Sequence, residues 1–183
     1  MLSDQDILKA MKSGDIVIEP FNKQHLGPDS VDLTLDNTLL IAQQIGEIVD
    51  PRHNNQFFKE VVMDDEGFLL LPGMFILGST RERISLSDNV AAQLEGRSTI
   101  GRLGIMVHVT AGVIHAGFGK QKPSALTLEI YSVNPNPVRI YPGMKIAQLS
   151  FFYLHTQTNK PYDETPHSKY KAQLKPRPPI SDQ

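Results

Sequence analysis

Apolar and polar residues follow a helical period only at the start of this chain. Ile7, Leu8 and Met11 fall on one helical face. Ser3 is placed to cap that helix, with Asp6 three residues on as in a capping box. Asp4 and Asp6 suit the positive end of the helix dipole, Lys9 and Lys12 the negative end, and Gly14 the stop. The period then changes to two. In the run 30–35, Val31, Leu33 and Leu35 share one side of a strand, opposite Ser30, Asp32 and Thr34. Further strands are expected at 16–18, 68–71, 74–77, 105–109, 125–131, 138–140 and 145–152, with turns at Pro72–Gly73 and Pro142–Gly143. Residues 37–58 are less regular and read as a long loop or a small hairpin arm. Many short strands separated by turns predict an all-β fold, a closed or nearly closed barrel behind a short N-terminal helix. From Asn159 the chain is polar and runs through KPRPP at 175–179, a composition that cannot build a core of its own. It is either a frayed end or a flap that closes over a ligand. The expected layout is a barrel domain over 1–158 and a flexible tail over 159–183.

The length of 183 residues suits one domain with a sizeable core. With 18 basic and 20 acidic residues the formal charge is -2, so no field draws the whole protein to nucleic acid or to an anionic membrane. A polyanionic ligand would have to be small and met by a few local cations. The absence of cysteine excludes disulfides, thiolate metal ligands and a cysteine nucleophile. No run approaches the roughly 20 apolar residues of a membrane helix. Acidic residues stand where a signal peptide would be basic, so the cytoplasm is the expected location. The strings of zinc deaminases, zinc proteases, P-loops and dinucleotide folds are absent. The six histidines, His25, His53, His108, His115, His155 and His167, fit no common metal spacing.

The stretch 93–129 carries the candidate chemistry. Glu95, Arg97, Ser98, Thr99 and Arg102 crowd between apolar runs, and Gly96, Gly101 and Gly104 let the backbone turn tightly. Arg97 and Arg102 offer forks that match phosphate or carboxylate oxygens. Two readings stand side by side: an anion site, or a surface turn with an ion pair from Glu95 to Arg97 or Arg102. Thr110, Ala111 and Gly112 are small enough for close approach to something flat, while His108 reads as a satisfied strand histidine. In 124–132, Leu126, Leu128 and Ile130 alternate with Thr127, Glu129 and Tyr131, so Glu129 faces away from the leucines. A carboxylate amid a β-run either meets water or has a task, and beside Ser98 and Arg102 it would be a candidate acid and base.

These strings together resemble the dCTP deaminase family, a branch of the trimeric dUTPase-like superfamily. The match lies in PDSVDLTL at 28–35, EGRSTIGRLG at 95–104, HVTAG at 108–112, TLEIY at 127–131 and PGMKIAQLSF at 142–151, followed by Tyr162, Lys169, Tyr170 and Gln173. The resemblance implies a distorted β-barrel, or β-clip, that forms a homotrimer with three sites between subunits. It implies hydrolytic deamination of dCTP to dUTP and ammonia. Glu129 matches the catalytic glutamate, Ser98 and the Ala111 carbonyl the groups that hold the attacking water, and Arg102 the arginine that balances charge beside them. Arg97, Ser98 and Thr99 match triphosphate contacts, and Tyr162, Lys169 and Gln173 the tail residues that fold over the phosphates. Thr110, Gly112, His115 and Gln148 complete the expected nucleotide contacts. Magnesium is expected on the triphosphate, with no protein cage and no zinc, and dTTP is a candidate feedback ligand.

Two departures stand out. His115, in VIHAGF, occupies a position where the family usually has an aspartate that supports attack on phosphorus and holds the sugar end. A histidine cannot be a constant negative acceptor, so weak or absent dUTP diphosphatase activity is expected. The link GKQKPSA at 119–125 is longer than the family norm. Lys120 and Lys122 either reach phosphate or, as expected here, solvate a hairpin tip, and Pro123 argues against a regular ladder. The alternatives are a bifunctional enzyme that releases dUMP and diphosphate, a silent nucleotide-binding regulatory trimer, and deamination of a modified cytosine nucleotide.

Overall fold

Strand pairing in this protein begins from residues that must leave water on one side only. The computed structural model describes residues 1–53 and 56–181. Helix α1 spans Asp4–Ser13: the Ser3 hydroxyl accepts from the Asp6 amide at 3.3 Å, Ile7 and Ala10 are buried, and Gly14 ends the helix at φ 83°. The strands that follow are β1 (Ile16–Glu19), β2 (Val31–Thr34), β3 (Thr38–Ala42), β4 (Phe58–Val62), β5 (Phe68–Leu70), β6 (Phe75–Ser79), β7 (Arg83–Leu86) and β8 (Val90–Gly96). A five-residue helix α2 (Ser98–Arg102) precedes β9 (Ile105–Met106), β10 (Val113–Ile114), β11 (Thr127–Ser132), β12 (Val138–Ile140) and β13 (Lys145–Tyr153).

Two larger sheets carry the architecture, in the orders β10-β8-β13-β2 and β4-β3-β6-β11-β9, and the pairs β1-β7 and β12-β5 flank them. All these pairings are antiparallel among the described residues. One hydrophobic cluster joins Leu33, Leu94 and Phe151 of the first sheet to Leu39, Ile76 and Leu128 of the second. This is the expected distorted all-β clip, with separate sheets wrapped on a common core.

The alternation in 30–35 is realised except at Thr34: Val31, Leu33 and Leu35 are buried and Ser30 and Asp32 half-buried, but Thr34 is also buried, where its amide and hydroxyl donate to the Glu82 carboxylate. Residues 37–58 contribute one arm of the hairpin β3–β4. Four strands were not expected: β4, of which only Phe58 fell in the arm considered over 37–58, and β7, β8 and β10. In β8, Val90, Ala92 and Leu94 point inward, but two alanines and a glutamine dilute the alternation. The two-residue β10 is too short to show a period, and β7 alternates Ile84 and Leu86 with Arg83 and Ser85 over only four residues. The run 105–109 forms a strand only over Ile105–Met106, and the backbone then leaves the sheet towards Glu129.

The link 119–125 forms no ladder, only an isolated bridge between Ser124 and Ile84, as Pro123 suggested. Gly119 opens the link at φ 69°, and a Cβ there would collide with the Ile84 carbonyl oxygen. Gly119→Ala is therefore expected to lower stability by about 1–3 kcal/mol, the scale of local backbone strain. An unchanged thermal midpoint for this variant would contradict the close approach.

Candidate active site

Leu128 and Ile130 are fully buried in β11, so the pleat turns Glu129 to the opposite face, where it is half-buried. The Val109 amide donates to Glu129 Oε2 at 2.8 Å and the Thr110 amide to the same oxygen at 3.4 Å. Oε1 makes no hydrogen bond among the described residues, which leaves it available to a water or ligand proton.

Glu129 and Ala111 line a cavity of about 430 Å³. Its wall is aromatic, built from Phe57, Phe58, Phe75, Phe118, Tyr162 and Tyr170. Flat, apolar walls with one carboxylate suit a planar ring that presents a polar edge. The tail supplies part of the wall, since Tyr162, Tyr170, Gln173, Arg177 and Pro179 all face this space. The segment that composition alone could not place lies packed across the barrel.

Gln173 shows how it is held. Its backbone carbonyl accepts from the Ala125 amide at 2.9 Å, and its side-chain Nε2 donates to the Ala125 carbonyl at 2.6 Å and to Thr127 Oγ1 at 3.1 Å. The residue is 2% exposed, and its Oε1 is buried without a partner. With both N–H groups engaged, the side chain offers a ligand an acceptor, not a donor.

His115 also lines the cavity, its ring stacked on that of Tyr162 at 6.0 Å and 12°. Burial pushes the Tyr162 hydroxyl above its ordinary pKa. His115, Tyr162 and Tyr170 form the wall shared with a second cavity of about 710 Å³. That space is lined by Lys160, His167 and Lys169 and by the hydroxyls of Thr158, Thr165 and Ser168. Lys169 donates to the carbonyls of Ile180 at 3.1 Å and Ser181 at 3.0 Å.

Ser98, Thr99 and Arg102 sit elsewhere. They are exposed on α2, which Ile100 anchors in the core, and none of them lines the Glu129 cavity of the same chain. Arg97 and Gln148 lie at the adjoining end of the four-stranded sheet. The Arg97 guanidinium donates to Asp32 Oδ1 at 2.8 Å, and Lys145 Nζ lies 3.1 Å from Asp32 Oδ2. Gln148 Nε2 donates to the Gly96 carbonyl at 3.1 Å and its Oε1 accepts from Ser30 at 3.3 Å.

Several readings of single residues need correction. Of the two readings left open for 95–102, the surface turn with an ion pair from Glu95 to Arg97 or Arg102 does not form. Arg97 is drawn to Asp32 across the sheet, and Glu95 instead accepts from Gln93 Nε2 at 3.3 Å and lies 3.5 Å from His108 Nε2. His108 is in a loop, and its Nδ1 is buried without a partner, so it is not a satisfied strand histidine. What crowds Gly112 is its own chain: a Cβ there would meet Gln93 Nε2 and, at 3.0 Å, the Leu94 carbonyl. Lys120 does not solvate a hairpin tip but bridges Asp88 at 2.8 Å and Glu164 at 2.9 Å.

Reading the chain residue by residue missed Asp32, Lys145, Lys160, His167 and the phenylalanines of the wall. Asp32 had a signal, its place on the polar side of β2; the others had none. From this geometry, Gln173→Leu is expected to loosen the tail, seen as faster amide hydrogen exchange over 162–178 without ligand. Exchange equal to that of the parent chain would show that Gln173 does not hold the segment.

Comparison with known proteins places this arrangement. A family model described as dCTP deaminase-like matches residues 1–154. A relative from Dictyoglomus thermophilum named "dCTP deaminase, dUMP-forming" is 41% identical over 182 residues, covering 96% of this chain and 92% of its own. One from Haloarcula marismortui named "dCTP deaminase" is 39% identical over 184 residues, covering 97% and 92%. Among solved structures, the 2'-deoxycytidine 5'-triphosphate deaminase of Agrobacterium tumefaciens matches with a TM-score of 0.64 at 22% identity, over 87% of this chain and 50% of that one. At that identity the likeness concerns the fold. Among the described residues no helix is long and apolar enough to cross a membrane. With a match that runs through both sheets and α2, the chain belongs to the dCTP deaminase-like family.

Proposed function

We propose that this chain deaminates dCTP by hydrolysis and carries the product on to dUMP. The observation that carries the deaminase reading is Glu129, fixed by two backbone amides with one oxygen left over, at the wall of an aromatic cavity. In this reading the pyrimidine lies in that cavity. Glu129 takes a proton from water as the water oxygen bonds to C4, and passes it to N3. It then takes the remaining proton of the new C4 hydroxyl and delivers it to the exocyclic nitrogen. The C4–N bond breaks, ammonia leaves, and a uracil carbonyl remains. The Ala111 carbonyl beside Glu129 accepts from the attacking water. The Gln173 acceptor suits a donor on the nucleoside, an amino or hydroxyl group, better than a phosphate oxygen.

The charges divide in the same sense. The second cavity carries Lys160, His167 and Lys169 where the polyphosphate would pass. Among the described residues no group of three or more His, Cys, Asp or Glu side chains is placed to hold a metal ion. Magnesium enters here as part of the substrate, with phosphate oxygens as its ligands.

Ser98, Arg102, Thr99 and Arg97 complete the reading from a neighbouring subunit. Ser98, Thr99 and Arg102 are exposed on α2 and Arg97 precedes that helix, all away from their own chain's cavity, and they would serve the cavity of the next copy in a homotrimer. There Ser98 holds the water and Arg102 balances the charge that builds during attack.

The product reading moves away from the expectation based on His115. The relative named dUMP-forming is 41% identical, and the same words name others at 38–42%. In the dUMP-forming step, water attacks the α-phosphorus, the bond to the β-phosphate bridging oxygen breaks, and diphosphate leaves. A second reading, dUTP as the end product, is favoured by His115, which cannot supply a constant negative charge, and by the 39% identical relative named "dCTP deaminase" without the dUMP-forming qualifier.

A time course with dCTP separates the two. Ammonia, dUMP and diphosphate rising in equal amounts is the expected result. Ammonia with dUTP that accumulates supports the second reading, and no ammonia removes both. Glu129→Gln is expected to lower turnover roughly 10²–10⁴-fold, the usual reach of general acid–base catalysis, with nucleotide affinity little changed. Turnover equal to the parent enzyme would overturn the role of Glu129.

A further inference from the structure

The long link before β11 is fastened to the start of the tail. Lys120 Nζ donates to Asp88 Oδ2 at 2.8 Å and to Glu164 Oε1 at 2.9 Å. Both carboxylates raise the Lys120 pKa, so the cation persists wherever they are ionised. One residue on, the Gln121 amide donates to Asp163 Oδ2 at 3.0 Å and its side-chain Nε2 to the Asp163 carbonyl at 3.2 Å. Asp163 is 1% exposed, and no ion pair to it forms among the described residues. A buried carboxylate without a cation depends heavily on such N–H donors. The turn just before the link adds two backbone bonds: the Tyr162 amide donates to the Ala116 carbonyl at 2.9 Å and the Asp163 amide to the Gly117 carbonyl at 3.3 Å.

Asp163 and Glu164 lie in the short 3-10 turn Tyr162–Glu164, from which the tail departs across the Glu129 cavity. Tyr162, in the same turn, packs on Phe118 at 5.6 Å and on His115. The link therefore grips the hinge of the closing segment and leads directly into β11, the strand that carries Glu129.

We propose that Lys120 and Gln121 are positioning residues, which fasten the start of the tail beside the active cavity. Neither touches the cavity; they act through Asp163 and Glu164 on Tyr162 and the segment beyond. The consequence for binding is that loss of this grip loosens the residues the nucleotide meets, so that affinity falls while the chemical step stands. This kinetic consequence rests on the deaminase reading; the docking of the tail does not.

Two measurements keep the two ideas apart. The first is limited trypsin digestion of the full chain without nucleotide, with fragments identified by mass. The bonds after Lys169 and Lys171 are the informative ones, because Lys175 and Arg177 are each followed by proline. Lys120→Met is expected to speed cleavage there roughly fivefold, the scale of a partly exposed ion-pair network, and Lys120→Arg to restore the parent rate. The second is steady-state kinetics with dCTP: Lys120→Met should raise KM by a similar factor with kcat within about twofold. Glu164→Leu removes the same bond from the tail side and replaces Lys120→Met if that variant loses its cooperative melt. Unchanged cleavage in both variants overturns the proposal, as does a fall in kcat with KM unchanged. Faster cleavage in a chain that shows no deaminase activity would leave the grip standing and remove the function proposed above.

Discussion

Side chains on a strand alternate, and in β11 that rule serves two purposes at once. Leu128 and Ile130 are fully buried and each contributes about 1.5–3 kcal/mol by leaving water. A slip of one residue would expose both and press Glu129 into the core, where an unpaired carboxylate costs several kcal/mol. The packing of the core therefore dictates which way the carboxylate faces. Thr127, two residues before, shares its face and receives the side chain of Gln173, so the same alternation anchors the tail. Pairing with β6 over Thr127–Tyr131 fixes the register along the length that matters.

How far each element could be read from the chain follows from where its stabilising contacts lie. Helix α1 contains its own signals, a hydroxyl at the cap, acids in the first turn and a glycine at the stop, and these were legible. The strand β2 was legible because its alternation is strict. The strand β8 is held by seven residue pairings to β13, and its own composition says little. The segment 98–102 reads as a glycine-assisted turn beside an ion pair, whereas the chain forms a short helix and sends the Arg97 guanidinium to Asp32, 65 residues away.

The tail illustrates the same limit. Its polarity predicts no core, and it has none of its own. Yet Asp163 and Gln173 are among the most buried polar residues of the molecule, because the barrel supplies their partners. Hydrogen bonds spanning 42 to 48 residues leave no trace in local composition. The candidate site was legible in the identity of Glu129 and Ala111, which share the cavity. The resemblance also named His115, Tyr162 and Gln173, which line the same cavity, whereas the phenylalanines of the wall were not legible, because they come from separate parts of the chain that meet only after folding.

The aromatic wall has one practical consequence. The chain contains no tryptophan and five tyrosines, and two of those five, Tyr162 and Tyr170, line the cavity from the tail. Ultraviolet emission from this protein is therefore tyrosine emission, and two of its five sources sit where the segment meets the barrel. A change in how that segment packs would register in this native emission, with no label attached.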